Sequence, residues 1–237
     1  MSDQVRMRRL AGLLLALAVV MVAAGWSRIW PPALLLRPCA DVMRWRELLS
    51  MVVFAPVLAV LLWLLFAEVA EQRLDGWAAG FLAGVYFMGC GMGMHDPCNL
   101  MGSAYRGLPG PLRESLRFFD DDLGHWVFWL GFVSCSILAG VQQVRHPLAA
   151  PMSRTARALF LLLGLPIAFV MLTNLVWEDT RRDLAAIAVA ALVTGGVHAV
   201  RRVPMGRTPL LWVLYPPYAA AVIGSLVYWL ATGGPGH

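Results

Sequence analysis

Seven stretches of this 237-residue chain are long and apolar enough to cross a bilayer, and no other feature narrows its fold as far. They run over 10–26, 48–69, 76–94, 123–144, 157–177, 183–200 and 209–231. A hydrocarbon core about 30 Å thick takes roughly 20 residues of helix to span. Lipid offers no partner to an open backbone group, and the alternation of a barrel strand is absent, so each stretch is expected to be helical. Composition agrees: 59% of residues are hydrophobic and 14% charged, with a mean hydropathy of +0.68. A soluble domain carries about 25% charged residues. The expectation is an all-α, polytopic transmembrane bundle forming one membrane domain over 1–237. Pro216 and Pro217 are expected to kink or break the last span.

All 19 basic residues are arginine. A chain without lysine cannot use a Schiff base or a P-loop, so seven helices here do not make a retinal pigment. The net charge of +5 comes without a basic run or a nucleic-acid motif. The bilayer, not nucleic acid, is therefore the expected partner. Arg6, Arg8 and Arg9 precede the first span, which ends in Val22, Ala23, Ala24 and Gly25. That pattern suits a signal anchor or a cleaved signal peptide, and the anchor is the expectation. The Arg-flanked start places the N-terminus inside and, for seven spans, the C-terminus outside. An all-arginine, Ala/Leu/Gly-rich composition is associated with GC-rich bacterial genomes, hence with a bacterial inner membrane.

The acids are unevenly placed. Asp41, Glu47, Asp96, Glu114, Asp120, Asp121, Asp122, Glu178, Asp179 and Asp183 fall at one end of the expected bundle, and Asp3, Glu68, Glu71 and Asp75 at the other. Two segments at the acid-rich end carry histidine as well. In the third span, Met88, Met92, His95 and Asn99 share one helical face, and Gly76, Gly80, Gly84 and Gly91 form a neighbouring stripe that admits a close-packed helix. Pro97 is expected to end that helix nearby. At the fourth span, Asp121 and His125 are four apart and Asp122 and His125 three apart, so either acid is a partner for the imidazole. Helix capping explains one or two acids of the Asp120–Asp122 run but not His125 beyond them. Asn174 and Glu178 end the fifth span on the same side.

Two imidazoles and a carboxylate make a plausible metal centre. In the corresponding expectation His95, His125 and either Asp121 or Asp122 hold zinc or another divalent metal. Glu178 or the spare acid, Asp122, then acts as general base toward a bound water. The order His95, Asp121 and Asp122, His125 on a seven-helix frame resembles the alkaline ceramidase and adiponectin-receptor superfamily of membrane hydrolases. That resemblance implies a zinc-bound water attacking an amide or ester of a lipid substrate. The paired histidines of that family's last helix are missing, since 215–230 contains no His. The alternatives are copper handling, suggested by four Met, two Cys and one His within 88–101, and a transporter or assembly subunit with a structural polar cluster. His198, near the far end of the sixth span, reads as a packing histidine, and His146 as a loop residue. Cys39 and Cys98 are placed to form a disulfide in an oxidising compartment.

Overall fold

The computed structural model describes residues 2–29, 32, 34–39, 43–72, 75–104, 107, 109–178 and 181–232, without the side chains of 28–29, 103–104, 170, 173–178 and 181–183. Among the described residues there are seven long helices and no strand. They are α1 (Asp3–Ile29), α2 (Trp45–Val69), α3 (Gly76–Ala104), α4 (Gly110–Arg145), α5 (Arg154–Glu178), α6 (Arg181–Arg201) and α7 (Pro209–Thr232). Six of them, α1, α2, α3, α4, α6 and α7, are long and apolar enough to cross a membrane. The 25 residues of α5 give about 37 Å of helix, and it packs along α7. The protein is an all-α membrane-helix bundle.

The helices close into a ring in which each packs on the next, in the order α1, α2, α3, α4, α6, α7, α5 and back to α1. Inward positions are filled by Leu10, Leu14, Phe66, Phe81, Phe160, Ile187 and Leu210, and Phe66 stacks on Phe81 with ring centroids 4.2 Å apart. Leu15, Val60, Leu82, Leu162, Leu192 and Ile223 face outward on six of the seven helices. In water such a surface would be an aggregation liability; in lipid it is the solvent-compatible face.

Local sequence explains where the helices start. Asp75 caps α3, its Oδ1 accepting from Trp77 N (3.0 Å) and Ala78 N (3.3 Å), and Ser153 Oγ accepts from Ala156 N (3.1 Å) to cap α5. The first turn of α7 is capped from a neighbour: fully buried Gln143 of α4 accepts from Leu210 N at 3.1 Å.

Three boundaries differ from the sequence expectation. Pro97 does not end α3, which continues to Ala104. The carbonyl that Pro97 leaves without an N–H belongs to Gly93. Pro216 and Pro217 do not break α7, which is continuous because α5 and α6 pack beside it. Finally, α4 begins at Gly110 rather than near 123. Its first two turns are amphipathic, and their polar residues read as loop when only hydropathy is considered.

Two π turns interrupt otherwise α-helical geometry, Ser50–Phe54 in α2 and Phe118–Gly124 in α4. The first lies just before Pro56, which lacks an N–H for the carbonyl of Val52 and forces the turn to widen. Both π turns flank the same stretch of α3.

Candidate functional site

Helices α3 and α4 approach so closely that their glycines touch backbone. A Cβ on Gly131 would overlap the Gly84 carbonyl, and a Cβ on Gly91 would overlap the Phe128 nitrogen. Gly124 carries the same restriction, with Phe119 O at 2.7 Å and Gly91 O at 3.3 Å from the position of its missing Cβ. The antiparallel register is therefore Gly84 opposite Gly131 and Gly91 opposite Gly124. One turn further along the same seam come His95 on α3 and Asp120 on α4.

These two side chains meet. His95 Nδ1 lies 2.6 Å from Asp120 Oδ1, with side-chain exposures of 13% and 16%. The contact falls outside the geometry of a linear hydrogen bond and is an ion pair when His95 carries its second proton. His125, the first residue after the π turn, sets its ring edge-on to that of His95, with centroids 5.1 Å apart and planes at 81°. Asp96, the next residue on α3, is buried and accepts from Ser50 Oγ of α2 at 2.8 Å. The expected convergence of the third and fourth spans at one end is thus found, and α2 joins it through Ser50.

The π turn decides which aspartate faces inward. A π turn holds more residues than an α turn, so a position three before Gly124 no longer returns to its face, whereas one four before does. Asp120 stays on the seam. Asp121 is turned off it and pairs with Arg117 at 3.2 Å, both side chains well exposed. Asp122 is half-buried in the same turn. The capping explanation for this run fails, because α4 begins ten residues before Asp120.

The expected metal set of His95, His125, Asp121 and Asp122 is brought to one end of the bundle but not to one point. Among the described residues no three His, Cys, Asp or Glu side chains are placed to hold an ion. His95 Nδ1 lies against Asp120, and Asp121 pairs with Arg117. Glu178 and Asn174 lie outside the described side chains, and Asp41 and Asp179 outside the described residues. Met88, from the copper alternative, packs against Gly131 in the α3–α4 seam.

All four cysteines are free. The expected Cys39–Cys98 disulfide is absent, and Cys98 lies inside α3, which continues past Pro97. Cys39 instead donates its thiol to Met43 O at 3.3 Å. His198 has the packing role expected of it, its Nε2 lying 2.6 Å from Val203 O.

A second polar assembly, at the opposite end, escaped the sequence reading. Arg6 is buried and donates from Nη2 to Val69 O (2.8 Å) and His146 O (2.9 Å), the last carbonyls of α2 and just past α4. Its Nη1 pairs with Glu71 Oε1 at 3.2 Å, while Arg9 faces buried Glu68 at 3.8 Å. His146 Nδ1 lies 3.5 Å from Glu71 Oε2. Glu71 and Gln72 adopt left-handed φ of 55° and 59°, the strained turn that returns Glu71 over the end of α2. The available signal was spacing: Arg6 and Arg9 are three apart on α1, as are Glu68 near the end of α2 and Glu71 just past it. One cation capping two helix C-termini makes this a structural clamp.

Comparison with protein-family models, with curated proteins and with solved structures finds no match for this chain.

Proposed function

We propose that this integral membrane protein handles protons at the His95–Asp120 pair, as the coupling site of a proton-dependent transporter in a bacterial inner membrane. The observation that carries the reading is the 2.6 Å contact between His95 Nδ1 and Asp120 Oδ1, both side chains mostly buried between membrane-spanning helices. Ionisable groups inside a bundle are costly and are retained for relays and ion paths. A carboxylate beside an imidazole gives a site that exchanges one proton between two defined states, and His125 supplies a second imidazole within reach. The glycine seam makes the pair possible, since two helices held apart by larger side chains would leave His95 and Asp120 unpaired.

The test is proton movement into vesicles that contain the purified protein and a trapped pH indicator, driven by a potassium diffusion potential. Wild type is expected to move protons above the protein-free rate, and His95→Asn and Asp120→Asn to fall to that rate. Undiminished flux in both variants would sink the reading. Metal content of the same preparation decides against the alternatives. Zinc at one per chain, lost in His125→Ala, would restore the lipid hydrolase, and copper held in the same ratio would restore copper handling.

A further inference from the structure

The outward face of the ring is grooved where α1 meets α5. The groove holds about 610 Å³, a size at which pockets take small organic ligands. Its walls are Leu15, Val19 and Val22 of α1 and Leu162 of α5, all exposed, and its floor is Ala18 and Leu163, both buried. Past Trp26 and Ser27 it is bounded by Leu35 of the α1–α2 connection. Ser27 apart, the lining is aliphatic or aromatic, and Ser27 Oγ is taken up by Ala24 O at 2.7 Å.

Depth and charge define the occupant. Leu15 stands at the middle of α1 and Ser27 near its end, so the groove runs about 18 Å along the helix. Half of a hydrocarbon core about 30 Å thick is about 15 Å. The groove therefore follows the course of one acyl chain, from mid-bilayer to the headgroups of a single leaflet. Trp26, 55% exposed, stands at the headgroup level, where aromatic side chains gather. The chain is basic at that end. Arg46 N donates to Leu35 O at 3.0 Å and Trp45 N to Arg37 O at 3.2 Å, and Pro38 pairs with Arg44, which keeps Arg37 and Arg44 beside Leu35. Residues 28–47 contain four arginines and two acids, of which Glu47 is matched by Arg46. Counting Glu178, Asp179 and Asp183 against Arg181 and Arg182 in the sequence around the α5–α6 connection, the sum stays positive. The acids of α3 and α4 belong to helices that are not neighbours of α1 in the ring.

We propose that this groove binds one anionic phospholipid, with an acyl chain along α1 from Ser27 to Leu15 and the phosphate at Arg37 and Arg44. A guanidinium presents a planar fork of donors that matches phosphate oxygens. Bulk lipid touches every outward face of the ring, but here a channel one leaflet deep ends in positive charge. An apolar helix from a second copy would leave that charge unanswered. The site shares no residue with the His95–Asp120 pair and holds whether or not that pair carries protons.

The experiment is thermal unfolding of the delipidated full chain in detergent, titrated with phosphatidylglycerol or with phosphatidylcholine of the same acyl chains. A ligand bound only by the folded state raises the midpoint in a saturable way. Wild type is expected to reach half of the rise at about thirtyfold lower phosphatidylglycerol, the effect of two basic residues at an anionic headgroup. The double variant Arg37→Gln, Arg44→Gln is expected to lose that preference. Ala23→Phe, at an exposed lining position, is expected to weaken both lipids about tenfold, the loss of about two buried methylenes. Equal half-saturation for the two lipids in wild type overturns the proposal, as does a preference that survives in the double arginine variant. An unshifted half-saturation in Ala23→Phe overturns it as well, and so does an equal rise with inorganic phosphate alone. No rise with either lipid, in a chain that runs as a dimer, would give the groove to a second copy instead. If Ala23→Phe does not fold, the arginine variant decides alone.

Discussion

Gly91 on α3 and Gly124 on α4 meet backbone to backbone, the missing Cβ of Gly124 standing 3.3 Å from the Gly91 carbonyl oxygen. In a bilayer, apolar side chains gain nothing from leaving lipid for another helix, so association depends on how closely the backbones can pack. The two glycines set the distance and the register, and the register brings His95 and Asp120 together one turn later.

Gly91→Ala is therefore expected to destabilise the protein by about 1–3 kcal/mol, the range for an overpacked contact. Gly89→Ala serves as its control, because nothing lies within 4 Å of the missing Cβ at Gly89. That variant should be unchanged or gain about 0.5–1 kcal/mol from helix propensity. Thermal unfolding in detergent separates the two. Equal midpoints for both variants would mean that the α3–α4 approach is looser than described.

The π turn makes the three consecutive aspartates unequal. Asp120→Asn should abolish the proton flux described above, while Asp121→Asn should leave it at the wild-type level. The Asp121–Arg117 pair is exposed, so its loss should cost less than about 1 kcal/mol, and less still in high salt. Vesicle assays of the two variants side by side give the answer, and a greater loss in Asp121→Asn would place the wrong aspartate on the seam.

Arg6 and Arg9 should differ in the same way at the opposite end. Arg6→Met strips the donor from buried Val69 O and one of the two donors from His146 O, which keeps Gln143 Nε2, for a loss of about 1–3 kcal/mol. Arg9 is about half exposed, and Arg9→Gln should cost less than about 1 kcal/mol. Chemical denaturation in mild detergent would rank them, and a milder effect for Arg6→Met would remove its role as the cap of two helices.

Cys39 and Cys98 should both alkylate in unfolded protein prepared without reductant, together with Cys90 and Cys135. Intact mass after labelling reads the count directly. Two labels instead of four would reinstate a disulfide.

Much of this architecture was legible from hydropathy alone. The spans expected at 76–94 and 209–231 became α3 and α7, and the small-residue stripe containing Gly84 and Gly91 became the face that α4 packs on. His95 and His125 were expected at the same end, and their rings stand 5.1 Å apart. The errors arose where a local rule was applied without its neighbours. Pro97 breaks a helix in water, but α3 is held between α2 and α4 on both sides of it. The run at Asp120 reads as a helix cap only if the helix begins there, and amphipathic turns from Gly110 onward move that beginning upstream. Arg6 sits in the first span's flank, where arginine signals topology, so its burial against two helix ends left no mark in sequence.

What the sequence by itself determined was the solvent, the number of long helices, and the end of the bundle at which the acids and two histidines gather. Those properties follow from composition and from the up-and-down alternation of spans, which need no knowledge of neighbours. Only the tertiary structure decided that Asp120 rather than Asp121 meets His95 and that Ser50 ties Asp96 to α2. A π turn adds residues to one turn of a helix and rotates every side chain across it. Pro56 marks the π turn of α2, but no proline stands in or just after Phe118–Gly124, so the turn that sorts the aspartates left no mark in any local stretch of the chain.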